Sequence, residues 1–169
     1  MEMHIARFAV FSLAGLAFFA GCGSSNEDAA PDSATVENEQ PAHDPHDVPL
    51  TEEQKDALRQ GVTGYADAIA KIKSYRDRIR DAVAAGNPPD AHRPLDELDV
   101  ILEYMPTVAR DTNVARTDWE RVNTSAQQLR ERFDQVHAQI DAGEQPNYDA
   151  VSADVDAAIS RLESISASQ

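Results

Sequence analysis

The chain is predicted to be all-α, an antiparallel four-helix bundle with up-down-up-down connections standing behind a disordered tether. Three observations lead there. From residue 50 onward the large apolar side chains recur at alternating steps of three and four, the repeat that lines one face of an α-helix. Gly, Pro and Asn fall in the gaps between those runs, where helices stop. No segment alternates apolar and polar residues with the period of two that a half-buried strand requires.

The first helix is marked by Leu50-Thr51-Glu52-Glu53-Gln54. The Thr51 hydroxyl can accept from the Gln54 backbone amide while the Gln54 side chain reaches back, as in a capping box. Its seam is Leu58, Val62, Tyr65, Ile69, Ile72, Ile79 and Val83, interrupted at Arg76. Gly61 and Gly64 each cost ~1 kcal/mol relative to Ala inside a helix, so the first turns are expected to kink or fray and the firm helix to begin near Tyr65. Unbroken, it would reach ~51 Å at ~1.5 Å per residue and overhang its partners. Gly86, followed by Asn87-Pro88-Pro89, ends it.

The second helix is expected to start at Pro94, a favourable first-turn residue, and to turn Leu95, Leu98, Ile101, Leu102, Met105 and Val108 inward. Pro106 should end or kink it. Thr117 through Glu120 reads as a second capping box. Behind it Trp119, Val122, Ala126, Leu129, Phe133, Val136 and Ile140 keep the three-four spacing without a break. Gly143 and Pro146 close that helix, and a fourth from about Tyr148 carries Val151, Val155, Ala158, Ile159, Leu162 and Ile165. These seam residues are aliphatic with a few aromatics, and their plain reading is core.

The segment before the helices has another character. Residues 8 to 20 form an uncharged apolar run of 13 after Arg7, which at ~1.5 Å per residue covers ~20 Å, short of the ~30 Å hydrocarbon core of a bilayer. The run ends in Phe19-Ala20-Gly21-Cys22, which resembles the lipobox of bacterial lipoproteins, with Phe19 in place of the usual aliphatic residue. The resemblance implies an export signal over residues 1–21 and a diacylglycerol-bearing Cys22 as the first mature residue. It also implies lipid attachment to a membrane of the cell envelope; with Gly23 after the cysteine this is the periplasmic face of the outer membrane in a Gram-negative host. Cys22 is the single cysteine of the chain, so no intramolecular disulfide competes for it. Residues 22–50 form the lipidated end and an acidic spacer rich in Ser, Asp, Glu, Ala and Pro, and residues 51–169 the helical domain. The mature part is similar in outline to small helical-bundle lipoproteins of the envelope.

With 30 acidic and 15 basic side chains the formal charge is -15. Nucleic acid is therefore not an expected partner. The expected partners are the membrane, through Cys22, and a protein of the envelope. No phosphate loop, dinucleotide fingerprint or G-x-S-x-G elbow occurs. No nucleophile, base and orienting group can be assembled, and the expectation is a binding or structural module, not an enzyme, with no cofactor. The Leu50-Thr51-x-x-Gln54 string resembles the signature of LTxxQ-type periplasmic stress chaperones, which carry it twice; here it occurs once and also reads as a plain helix cap.

The alternative reading is a metal- or haem-binding bundle. His43 and His46, with Asp44 and Asp47, form a short stretch able to catch a divalent cation. His92, beside Asp90 in a Pro-rich loop, either joins a surface metal site or caps the next helix and faces solvent. The bundle resembles small periplasmic cytochromes, and Met105 with His137 would then be the haem axial pair. His137 adjoins the Val136 seam position, where a plain interface histidine is the simpler role. Asp96, Asp99 and Glu103 share one helix face, and Asp134-x-x-His137 offers a second half of a carboxylate metal site.

Overall fold

The computed structural model describes residues 48–166, and these are all-helical. Five α-helices follow one another: α1 (Glu52–Gln60), α2 (Tyr65–Ala84), α3 (His92–Asp111), α4 (Trp119–Asp141) and α5 (Asp149–Ser166), with short 3-10 turns at Pro88–Ala91 and Arg116–Asp118. Cys22, His43, His46 and the proposed signal and spacer lie outside the described residues.

The long first helix is two helices. Thr51 caps α1 through the box anticipated from its sequence, its hydroxyl accepting from the Gln54 amide at 3.3 Å while Gln54 Oε1 accepts from the Thr51 amide at 2.9 Å. The chain breaks over Gly61–Gly64, and the freed Thr63 amide donates to Asp67 Oδ2 at 2.9 Å in the first turn of α2. α1 contributes no buried residue of its own. It is seated by Leu50 just before it, which is buried beside Val100 on the outer side of α3.

Both inter-helix turns at Gly86 and Gly143 are built alike. Each glycine has a positive φ (72° and 68°). At the first, Gly86 N donates to Val83 O and Asn87 N to Ala82 O; at the second, Gly143 N donates to Ile140 O and Glu144 N to Gln139 O. This paired pattern satisfies carbonyls left open at a helix end and needs a left-handed residue, which glycine adopts without a Cβ clash.

Three local expectations are corrected. α3 begins at His92, two residues before Pro94, because the 3-10 turn at Pro88–Ala91 runs straight into it; Pro94 still occupies the first turn, where its missing N–H has no intrahelical acceptor. Of the two outcomes expected at Pro106, an end to the helix does not occur, and α3 continues to Asp111. The lost hydrogen bond is offset by the burial of Met105, Val108 and Ala109 around it, since a fully buried aliphatic side chain contributes ~1.5–3 kcal/mol. The Thr117–Glu120 capping box does not form. The residue before α4 is Asp118, with no side-chain cap, because Arg116–Asp118 is already wound as a 3-10 turn and the Asp118 carboxylate pairs with Arg121 at 2.8 Å.

Most of the seam residues form one core, against which Leu58, Val62 and Trp119 pack only partly buried. Ile72, Ile79, Leu98, Ile101, Leu102, Met105, Leu129 and Leu162 are essentially inaccessible, and among the described residues Val48 is the exposed large apolar side chain. Arg76, which interrupts the α2 seam, is only 18% exposed and reaches Asp156 of α5 with its Nη1 at 2.6 Å. Between helices the polar pairs run in opposite numerical order: His92 meets Asp141 and Asp99 meets Arg130 across α3 and α4, while Arg121 meets Ser164 and Arg132 meets Asp154 across α4 and α5.

A candidate metal centre between the start of α3 and the end of α4

His92 is not a solvent-facing loop residue. The chain leaves α2 through Gly86, turns over Pro88–Ala91 and places His92 as the first residue of α3. Ala91 on one side and Pro94 and Leu95 on the other are buried, so this turn is drawn into the protein and the imidazole goes with it, 5% exposed. The periodic reading of α3 began at Pro94, and the inward pull of the preceding turn was invisible to it.

Across from this turn lies the last part of α4. His137 and Asp141 are four residues apart and so share one helix face. His92 Nε2 is 3.2 Å from Asp141 Oδ1, and His137 Nε2 is 3.6 Å from the same oxygen, within ion-pair range but beyond a hydrogen bond. The two imidazole rings are 5.3 Å apart, tilted by 51°. One ligating atom from each of the three residues lies within 4.8 Å of the others. His137 is half-buried and Asp141 exposed, so the group opens to water on one side.

His137 also borders a cleft of about 220 Å³ between α3 and α4, shared with Asp96, Asp99, Arg130 and Asp134. Arg130 grips Asp99 with two nitrogens, at 2.6 and 3.2 Å. That hydrogen bond holds the Arg130 guanidinium above its ordinary range. Glu103, farther along α3, stands 3.8 Å from Arg59 of α1. Two of the three acids on the Asp96/Asp99/Glu103 face thus pair with arginines.

Of the residues singled out from the sequence, the fold brings His92 and His137 together. It does not bring Met105 to His137. Met105 follows His92 by 13 residues on α3, about 20 Å along the axis, and is fully buried in the core, whereas the His137 ring stands against His92. A haem iron cannot take axial ligands from two such levels. Asp141 was missed. Its signal was the four-residue spacing from His137, overlooked in favour of Asp134, three residues on the other side.

Comparison with protein-family models, curated proteins and solved structures gives no match for this chain.

Proposed function

We propose that the protein is a lipid-anchored lipoprotein of the bacterial envelope, whose helical unit works as a binding or structural module held off the membrane by an acidic spacer. The observation that carries this reading is the placement of the chain's single cysteine, Cys22, at the end of the apolar run and directly after Ala20-Gly21. The helical unit is consistent with it. Among the described residues no helix is long and apolar enough to cross a membrane, and the surface shows no apolar patch that would seat it on one. Membrane attachment then falls to the N-terminal segment. Two or more acyl chains on Cys22 hold stably where a single chain is only marginal, at ~0.8 kcal/mol per buried methylene.

In this reading α2 to α5 form the up-down-up-down bundle and α1 lies along α3 as a strap. The opposite numerical order of the cross-helix pairs supports that arrangement. With its apolar seams closed inward, the module would meet an envelope partner through a polar surface. From residue 48 onward that surface carries 22 acidic and 14 basic side chains, which favours a basic partner face over nucleic acid.

The test is intact mass on protein recovered from the membranes of an expressing bacterium, beside the Cys22→Ala variant. A chain starting at Cys22 with a diacyl or triacyl adduct, and a variant lost from the membrane fraction, is the expected result. An unmodified Cys22 thiol, or cleavage after Ala20 with no lipid, rejects the proposal.

A further inference from the structure

We propose that His92, His137 and Asp141 bind one divalent transition-metal ion of the zinc class. Nothing in the anchor hypothesis enters this proposal, and either can fail without the other. Two of the three donor separations are close to what such an ion needs. A tetrahedral ion with bonds of ~2.0–2.2 Å sets neighbouring donor atoms ~3.3 Å apart. The two histidine-to-Asp141 separations are 3.2 and 3.6 Å. Two imidazoles and one carboxylate suit zinc, copper, nickel or cobalt and are a poor set for calcium or magnesium, which take oxygen ligands.

Two further features favour a cation here. Asp141 is the last residue of α4, and no basic side chain stands in that last turn, so a carboxylate and the negative end of the helix dipole coincide, an adverse pairing that a bound cation would relieve. His92 is buried with its Nε2 turned to Asp141 and its Nδ1 without a hydrogen-bond partner, so Nε2 is the atom placed to ligate. Asp96 and Asp134 line the cleft that reaches His137, giving the ion an acidic approach.

The same atoms bound the affinity. With Nε2 on the metal, the His92 ring proton sits on Nδ1, which has no acceptor, and a missing outer partner typically weakens metal sites 10–100-fold. Three protein ligands leave a fourth position for water. We therefore expect exchangeable binding, ~10–100-fold weaker than at a site with its outer partners in place, not a permanently held structural ion.

The experiment is calorimetric titration of Zn2+ into the full chain carrying no polyhistidine tag, with Mg2+ as the hard-cation control and Co2+ as a spectroscopic probe. Because His43 and His46 could bind metal separately, the double variant His43→Ala/His46→Ala is titrated beside His137→Ala and Asp141→Ala. The last two alter half-buried and exposed side chains, and far-UV circular dichroism checks that each remains helical. The expected result is one Zn2+ per chain retained by the His43/His46 double variant and weakened at least ~10-fold by His137→Ala and by Asp141→Ala, with visible d–d bands of tetrahedral Co2+ lost in both. Zn2+ binding no tighter than Mg2+, binding lost only in the double variant, or binding indifferent to His137 and Asp141 overturns the proposal.

Discussion

Arg130 and Asp99 join α4 to α3 by a two-pronged ion pair, Nε to Oδ1 at 2.6 Å and Nη2 to Oδ2 at 3.2 Å, in the same helix register that sets His137 against His92. Both side chains are about two-fifths exposed (41% and 43%). Solvent therefore screens the pair, and the ~1.5–3 kcal/mol of a buried charged hydrogen bond must be discounted. A double-mutant cycle of Asp99→Asn and Arg130→Met by urea unfolding should return a coupling of ~0.5–1 kcal/mol. A coupling above ~2 kcal/mol would mean that the pair, and not the apolar core, sets the helix register.

The turn glycines give a sharper contrast. Gly86 and Gly143 hold left-handed backbone, and a Cβ at either would meet nothing within 4 Å, so the penalty of Gly→Ala is conformational alone. Gly86→Ala and Gly143→Ala should each destabilise the fold by ~1–2 kcal/mol. Gly64 also has open space for a Cβ, but its backbone is extended (φ 164°, ψ 180°) and open to any residue. Gly64→Ala should be neutral or stabilising by up to ~1 kcal/mol through the unfolded chain. Equal effects at all three positions in denaturant melts would contradict this account.

Alkaline stability follows from two buried phenols. Burial pushes Tyr65 and Tyr148 up to about 12, from an ordinary value of 10.0; they are 3% and 7% exposed, and Tyr65 Oη donates to Leu162 O at 3.3 Å. Above pH 10 the unfolded chain releases these protons while the folded chain keeps them. The stability they provide is thus complete below pH 10 and is lost as pH rises toward 12, amounting to roughly 2 kcal/mol per tyrosine by linkage. Phenolate absorbance and circular dichroism followed together should show these two tyrosines ionising with the unfolding transition. Tyr65→Phe should flatten the loss between pH 10 and 12, and an unchanged slope would refute the assignment.

Much of the helical framework was legible in the sequence. Leu98, Ile101, Leu102 and Met105 fall on the core face, as do Val122, Leu129, Phe133 and Val136, because helical periodicity is a local property that each segment carries in its own spacing. The Thr51 cap, the break at Gly61–Gly64 and the turns at Gly86 and Gly143 were equally readable, since each rests on the chemistry of a few adjacent residues. Where local signals compete, the local reading is incomplete. Pro106 stays inside α3 because the surrounding burial outweighs one missing hydrogen bond. The Thr117–Glu120 box gives way to a 3-10 turn.

What the sequence by itself determined is which segments are helical and which side of each is apolar. Only the tertiary structure decided which polar residues meet. His92 and His137 are 45 residues apart in the chain, and no spacing rule connects them. Their encounter depends on the inward turn at Pro88–Ala91 and on the register at which α3 and α4 pack, fixed by interlocking core side chains. A helix face is encoded every few residues; a register between two helices is settled only by the fit of their whole lengths. For that reason most of the core was predictable from each helix's own spacing, while the His92–His137–Asp141 group emerged only in three dimensions.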